Sequence, residues 1–324
     1  MPSSFKKFNL HDYVVYISFI AVVILFYFII GGKFLAVNNI RNIAIQSTVT
    51  CISAAAMVMV ISCGMIDLSI GAAAALSSII AALVMQYTKN MALGILAGFL
   101  TGAFVGLING VLISYGALPP FLVTLGVQGV VFGCAQWLSK MQAIPIYDKR
   151  FTTWFGSASV GGVPILFIWA CLVFALSFYI MNQTKLGKKI LATGANENAA
   201  SNTGINTKKV KCQVMILSGL FSAAAGMMYA GRGQAARHSF GADMTFTVIA
   251  SVILGGTLMR GGKARVIGAF VAALLLGMVD NGLIIIGFDV SRQTIVRGAV
   301  IVMATLLGTV TGGGIMRKKS AGKE

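Results

Sequence analysis

The sequence predicts an all-α, polytopic membrane protein with about ten transmembrane helices, some of them short or broken, in two inverted pseudo-repeats. Three observations predict this fold. Hydrophobic residues make up 57% of the 324 residues and charged residues only 10%, which is too few to cover the surface of a soluble protein. Most uncharged runs reach about 20 residues, the length of a spanning helix. Two polar motifs recur at a similar spacing.

The predicted spans follow one another with short connections. Eight runs of spanning length lie at 13–32, 42–66, 68–88, 91–113, 118–139, 163–182, 212–231 and 298–316. Two further segments lie at 244–259 and at 266–288, the second interrupted by Asp280. Because the runs are long and do not alternate between polar and apolar residues, strands are not expected. The first run is too long for a signal peptide and is interpreted as a retained helix.

Several of these helices are predicted to be broken or closely packed. Asp67 separates the second and third runs with almost no loop, and the segment 244–259 is short. Half-helices of this kind usually line a cavity, because unpaired backbone cannot face lipid. Gly98, Gly102 and Gly106 recur every four residues, which places them on one helix face and allows close helix packing.

An internal repeat is indicated by two pairs of similar stretches. Asn109–Gly116 is similar to Asn281–Gly287, and Gly64–Asp67 is faintly similar to Gly241–Asp243. The spacings are 172 and 176 residues, so that five helices separate the copies. An odd number inverts the copies in the membrane, which is a common architecture of transporters. The alternative is a chance similarity between apolar segments.

The charge distribution predicts the orientation. The formal net charge is +17, but the basic residues form short clusters between apolar runs, which favours the positive-inside rule over binding to nucleic acid. Fifteen of the 25 basic residues fall in segments that lie on one side if both termini are cytoplasmic. We therefore expect a cytoplasmic segment 1–12, one transmembrane domain at 13–316 with a cytoplasmic loop at 183–211, and a cytoplasmic tail at 317–324.

Metal and disulfide chemistry are not expected. The five cysteines lie in or beside apolar runs without a Cys-x-x-Cys spacing, and the two histidines are far apart. The sequence also lacks a Gly-x-x-x-x-Gly-Lys-Ser/Thr loop, so this chain is not expected to bind ATP or any other cofactor.

The loop 183–211 is the most informative stretch outside the spans. It contains six lysines, and a short helix is predicted at 195–202, with Gly194 or Asn196 near its start and Glu197 in its first turn. Gly204 can end that helix in the left-handed conformation. From chemistry alone, two interpretations stay open: a lever that a partner protein grips, and a plain solvated connector.

Candidate pathway residues are the polar positions inside or between apolar runs. Asp67 is a functional candidate because acids inside a membrane are rare, but with Ser69 it also resembles a helix N-cap. The others could hydrogen-bond a polar solute or simply join helices, and the second use is more common. The candidates for the pathway or for a helix break are Asp67, Ser69, Gly71, Asn109, Thr124, Gln128, Asp280 and Asn281.

Four stretches, in order, resemble the ribose/xylose/arabinose-type permeases of ATP-binding-cassette (ABC) importers, and the resemblance covers about residues 35 to 313. The loop stretch Gly194–Ala200 with Gly204–Asn206 is similar to the coupling helix of that family. The stretches Ile66–Gly71, Leu118–Gly126 and Leu254–Thr257 (with Gly261-Gly262 and Asn281–Leu283) are similar to its other motifs.

The resemblance implies a division of labour. The chain would be a permease subunit without enzyme activity, paired with a second copy or a paralogue in a bacterial inner membrane. A separate ATPase would act through Gly194, Asn196, Glu197, Ala199, Ala200 and Gly204, and an extracytoplasmic binding protein would deliver a monosaccharide or a similar small polar solute. Ser201 stands where the family usually has arginine, which bears on the choice of the ATPase.

Two other classes of transporter were weighed. An ion-coupled or facilitative carrier needs a buried ionisable relay, and only Asp67 and Asp280 lie where one could be. An exporter or lipid flippase usually has a fused nucleotide-binding domain, and no motif of such a domain is present.

Overall fold

The computed structural model describes residues 14–311 and is predominantly helical. Within this range the helices are α1 (Val14–Ile30), α2 (Val37–Ser62), α3 (Ile70–Thr88), α4 (Met91–Ser114), α5 (Pro120–Ser139), α6 (Lys149–Thr152), α7 (Ile165–Gln183), α8 (Lys185–Ala195), α9 (Glu197–Asn202), α10 (Thr207–Gly233), α11 (Met244–Leu254), α12 (Val266–Ile285) and α13 (Val290–Thr311). The predicted segments 1–12 and 317–324 lie outside the described residues.

Each of the ten predicted apolar segments contains one helix. Eight helices of the described range are long and apolar enough to cross a membrane: α1 with its 3₁₀ extension Gly31–Leu35, α2, α3, α4, α5, α7, α10 and α12. Helix α11 has 11 residues and is too short to span, as its segment predicted. Helix α13 has 22 residues and ends at the limit of the described range. The protein is therefore a polytopic, all-α membrane protein.

Three helices begin earlier than predicted. Helix α2 begins at Val37 and not at 42, α10 at Thr207 and not at 212, and α13 at Val290 and not at 298. Each added turn contains Lys or Arg. The prediction began each span after the last of these charges. A helix can include lysine or arginine in its first turn, because their long side chains extend to the polar interface.

The connections contain short strands that the sequence did not predict. Strand β1 (Ile144–Pro145) pairs with β4 (Ala235–Ala236), and β2 (Ser159–Val160) pairs with β3 (Val163–Pro164), both antiparallel. With two residues each, they are too short to show alternation. The β1–β4 pair fastens the connection between α5 and α7 to the connection between α10 and α11.

The two ends of the helix bundle can be told apart by contacts between connections. The Gln86 side chain, near the end of α3, donates to the Pro145 carbonyl at 2.7 Å, so α3 ends beside the loop 140–164. At the opposite end of the bundle, Ser62 at the end of α2 contacts Gly194 in the last turn of α8. We call these two ends the strand end and the coupling end.

The packing of the helices repeats between the two halves. Helix α4 packs against α3, α5 and α10, and α12 packs against their counterparts α11, α13 and α2. Helices α3 and α11 begin next to each other, where Gly71 contacts Gly241. From there α3 runs to the strand end, whereas α11 runs to the coupling end, where Gly261 contacts Gly194. The halves are therefore inverted relative to each other.

The glycine face of α4 is used for packing, as predicted. Gly102 lies against the backbone of Gly219 and Gly106 against that of Met215, both on α10, and Gly98 lies against α3 and Met227. A Cβ atom at Gly102 or Gly106 would overlap those backbone atoms. This close approach joins the first half of the chain to the second.

Candidate functional site

The break between α2 and α3 is organised around the carboxylate of Asp67, which is 2% exposed. The Ser69 backbone N–H and hydroxyl donate to Asp67 Oδ1 at 2.9 and 2.6 Å. The Ser218 hydroxyl on α10 donates to Oδ2 at 2.7 Å. All three donors are neutral. Asp67 thereby links a non-helical segment inside the bundle to the centre of the longest helix.

Two more predicted residues complete the network. The Asn109 side-chain amide on α4 donates to the Ser69 hydroxyl at 2.7 Å, and its own Oδ1 is buried without a partner among residues 14–311. The Thr124 hydroxyl on α5 lies 3.2 Å from the Ile66 carbonyl oxygen and 2.9 Å from that of Pro120. Asp67 and Ser69 lie in the break itself, and Asn109 and Thr124 reach it from α4 and α5.

The predicted N-cap is wrong in its details. Ser69 is the residue that precedes α3, and no side chain caps that helix. Asp67 instead accepts from the residue two positions later and closes an Asx turn before the helix. The sequence pattern signals a local hydrogen bond correctly, but it does not distinguish a cap from a turn one residue earlier.

The second break, before α11, meets the first one. Gly71 and Gly241 are in backbone contact, and the Thr245 hydroxyl donates to the Leu68 carbonyl at 3.4 Å. Gly241 has a φ of +85°, which favours glycine. The first turn of α3 and the segment that leads into α11 therefore face each other inside the bundle, and a shift of one break would displace the other.

The remaining pathway candidates lie outside this network. Gln128 is half-buried on α5 and has no side-chain hydrogen bond within the described range. Asn281 is 3% exposed on α12, and its Oδ1 is buried without a partner among the described residues. Asp280 does not interrupt α12, which runs continuously from Val266 to Ile285.

Asp280 instead forms an ion pair with Arg297 of α13, with Arg297 Nη2 lying 3.1 Å from Asp280 Oδ2. The two side chains are about one quarter exposed and pair between the helices.

We expect Asp280→Ala to lower the free energy of unfolding by about 2–3 kcal/mol, because it leaves the Arg297 guanidinium partly buried without its partner. The double variant Asp280→Ala/Arg297→Met should recover part of this loss. Chemical unfolding in detergent measures both. The matched control is Arg292→Gln, which removes the exposed Asp289–Arg292 pair but keeps the Arg292 backbone N–H that donates to Asp289 Oδ1 at 2.8 Å, and it should cost under about 1 kcal/mol. Equal losses in Asp280→Ala and the control would contradict the prediction.

The coupling-end loop contains two helices, α8 and α9. The Asn196 side chain caps α9 by accepting from the Ala199 N–H at 3.0 Å, and Glu197 lies in the first turn. Gly204, with a φ of +84°, follows the end of the helix. The cap, the acid and the glycine were predicted, but the helix was predicted at 195–202 and begins at Glu197, because α8 extends through Ala195. Helix α8 was not predicted. In addition, Glu197 forms an ion pair with Lys211 of α10 at 2.6 Å.

Helix α9 lies on the surface of the protein and is held there by its contacts with the rest of the chain. Residues 195–199 are exposed, whereas Ala200 is 5% exposed and faces the protein. A helix of six residues is not stable alone, so its caps and flanking helices hold it in place. The result is a small, rigid element that projects from the coupling end.

A glycine junction anchors the base of α9. We use this name for Gly64, Gly194, Gly261 and Gly262, which meet beside Ser62. Gly194 contacts the carbonyl of Ser62, and the Gly262 N–H donates to that same carbonyl at 2.9 Å. Gly64, Gly261 and Gly262 all have φ values near +80°. The junction joins the coupling loop to the end of α2 and to the connection between α11 and α12.

Sequence analysis missed the partners across the fold. Ser218, Thr245 and Arg297 were not candidates, since a serine, a threonine or an arginine in a span has many possible partners. The repeat was the one signal that pointed to Gly241, because it aligned the segment before α11 with the Asp67 break.

Most of the described chain matches a known protein family. Residues 39–305 match the family model described as "Branched-chain amino acid transport system / permease component". The chain belongs to this permease family.

Curated relatives of the permease cover most of its length. The ribose import permease protein of Escherichia coli strain K12 is 33% identical, over 90% of this chain and 92% of that protein. The D-allose transport system permease protein of the same strain is 33% identical, over 85% and 84%. The L-arabinose ABC transporter permease protein of Azospirillum brasilense is 32% identical, over 84% and 80%. No solved structure matches the permease.

Proposed function

We propose that this permease is the membrane subunit of an ABC importer for a monosaccharide or a similar small polar solute. The observation on which the proposal chiefly depends is α9, an exposed, capped helix that directly follows the last turn of α8, where Gly194 is in backbone contact with α2 and with the α11–α12 connection. A partner that binds α9 can move both. The names of relatives that import ribose, allose and arabinose support a sugar as the solute.

The proposed mechanism is a transmission of movement along α11. One end of α11 leads into the glycine junction below α9, and the other begins where Gly241 meets Gly71 at the Asp67 break. A short, rigid helix between two backbone contacts transmits a shift with little loss, because packed interiors resist deformation. Closure of the ATPase would thus move the breaks and change which end of the bundle is open.

The partners and orientation follow from the same proposal. The ATPase binds the coupling end from the cytoplasm, so both termini are cytoplasmic and the membrane is a bacterial inner membrane. The extracytoplasmic binding protein docks at the strand end, where the loop 140–164 is folded and attached to the α10–α11 connection by β1 and β4. A second copy of the permease or a paralogue completes the pathway.

The proposed pathway does not use every polar candidate. Asp67, Ser69, Asn109 and Thr124 are at most 2% exposed, and we assign them to holding the break. Gln128 of α5, half-buried and without a hydrogen-bond partner among residues 14–311, is the better candidate for contact with the solute.

The alternative is a secondary carrier, and one observation weighs against it. A proton relay needs adjacent titratable groups, but the hydrogen-bond partners of Asp67 are serine groups, and Asp280 is held by Arg297. Reconstituted vesicles separate the two functions. We expect ribose uptake only with ATP, the ATPase and the binding protein. Uptake by the permease alone, driven by an ion gradient, would overturn the importer proposal.

We expect Glu197→Lys to abolish the stimulation of the ATPase by the solute-loaded binding protein and to lower the free energy of unfolding by about 1–2 kcal/mol. The loss of stability arises because the Lys211 side chain, 17% exposed, loses its partner and faces a like charge, and it stays modest because Glu197 is 46% exposed. The loss of ATPase stimulation follows because Glu197 lies on the exposed part of α9, where the ATPase is proposed to bind. Measurements of ATPase activity in proteoliposomes and of thermal unfolding test both parts.

Two variants serve as controls for Glu197→Lys. The charge swap Glu197→Lys/Lys211→Glu restores an ion pair but not the acid on α9, so it should remain uncoupled. The variant Gly204→Val, which forces a side chain into a φ of +84°, should also uncouple because it distorts the end of α9. Recovery of stimulation in the charge swap would show that only the ion pair matters.

A further inference from the structure

A cavity of about 170 Å³ opens between α8 and the start of α10, and its lining consists of Lys189, Asn206, Lys209, Val210 and Gln213. We infer that this cavity binds the phosphate group of an anionic phospholipid headgroup. The coupling function does not use these residues, so the inference does not depend on the proposed solute or ATPase.

The lining is rich in hydrogen-bond donors. Lys189 and Lys209 have no ion pair within residues 14–311, and no acidic residue lines the cavity. The Asn206 side-chain oxygen accepts from the Lys209 backbone N–H at 2.9 Å, so its amide group is the part left to donate. Val210 is 3% exposed and gives the cavity an apolar floor. Two ammonium groups and two side-chain amides on a short arc fit a phosphate.

The surface around the cavity is also positively charged. The stretch 183–211 contains six lysines and one acid, Glu197, which is already paired with Lys211. Lys185, Lys188 and Lys208 therefore add to the positive potential at the cavity mouth. Such a field attracts anions, but by itself it does not choose between a lipid and a soluble anion.

The depth of the cavity favours a lipid. Cys212, next to Gln213, packs against Gly110 of α4, so the cavity wall lies level with the last turns of α4. There the exposed residues are apolar or aromatic: Val111 is 43% and Tyr115 59% exposed. The Lys208 ammonium lies 6.0 Å from the Tyr115 ring centroid. Lysines beside an interfacial tyrosine and an apolar surface match the boundary where a phospholipid has its phosphate.

The test uses the purified full chain in detergent, titrated with phosphatidylglycerol or with phosphatidylcholine of equal chain length, and bound lipid is counted by native mass spectrometry. We expect tighter binding of phosphatidylglycerol. The double variant Lys189→Gln/Lys209→Gln should weaken it about 25-fold, since each lysine that donates a charge-assisted hydrogen bond to the phosphate contributes about fivefold. Gln213→Trp, which fills the cavity without changing the charge, should weaken it at least tenfold.

The matched control is Lys185→Gln/Lys188→Gln, which removes the same charge outside the cavity and should weaken binding less than threefold. Equal loss in the control, or no loss in Gln213→Trp, would show diffuse attraction and overturn the site. Displacement of the lipid by equimolar inorganic phosphate or ATP would assign the cavity to a soluble anion. Unchanged lipid binding with weakened binding to the ATPase would assign it to an acidic protein surface. Either result would overturn the lipid proposal.

Discussion

Gly194→Ala is expected to abolish solute-stimulated ATPase activity and to lower the free energy of unfolding by about 1–3 kcal/mol. A Cβ atom at this position would overlap the Ser62 carbonyl, which is backbone and cannot rotate away. The same carbonyl accepts from the Gly262 N–H at 2.9 Å, so its displacement also breaks the contact with the α11–α12 connection. One methyl group should therefore separate α9 from both elements that it is proposed to move.

The measurements are ATPase activity in proteoliposomes and thermal unfolding in detergent. Gly32→Ala is the matched control, since Gly32 has no positive φ and no heavy atom lies within 4 Å of its added Cβ. That control should keep full activity and stability. A Gly194→Ala protein that is destabilised but fully stimulated would show that the junction is structural only, and that the force reaches the breaks by another route.

The helices and the caps of α9 were predictable because the information lies in neighbouring residues. The ten segments follow from run length, and the start of α9 follows from Asn196 and Glu197 within one turn. The four-residue spacing of Gly102 and Gly106 predicted a packing face for the same reason. The predicted helix starts were wrong for α2, α10 and α13. There the first turn contains lysine or arginine, and a charge can either end a span or lie in its first turn.

The contacts between the breaks were not predictable in the same way. Asp67 and Ser218 are 151 residues apart, and their hydrogen bond depends on how α10 crosses the break. The pairing of Asp280 with Arg297 depends likewise on the packing of α12 against α13. A sequence shows which polar groups need partners, whereas the choice of partner is made by the helix arrangement. The internal repeat pointed to one such contact only, the contact between the two breaks.

Asp67→Ala is expected to lower the free energy of unfolding by about 3–5 kcal/mol, the largest loss that we predict for a single polar residue. The change leaves the Ser69 N–H and the hydroxyls of Ser69 and Ser218 without their acceptor in a buried site. Each such donor costs about 1–3 kcal/mol when unpaired, and pairing with other groups in the membrane reduces the sum. Chemical unfolding in detergent and the yield of folded protein measure the loss.

Two further variants should show smaller losses in the free energy of unfolding. Asp67→Asn keeps one acceptor oxygen and should lose about half as much, and Ser218→Ala, which removes one donor together with its need for a partner, should lose about 1 kcal/mol. Solute selectivity should not change in any variant that folds, because Asp67 is 2% exposed and its oxygens are already occupied. A stable Asp67→Asn protein with altered selectivity would instead place the carboxylate in the pathway. In that case the conformation described here, with the break closed around Asp67, would be one that the solute must open.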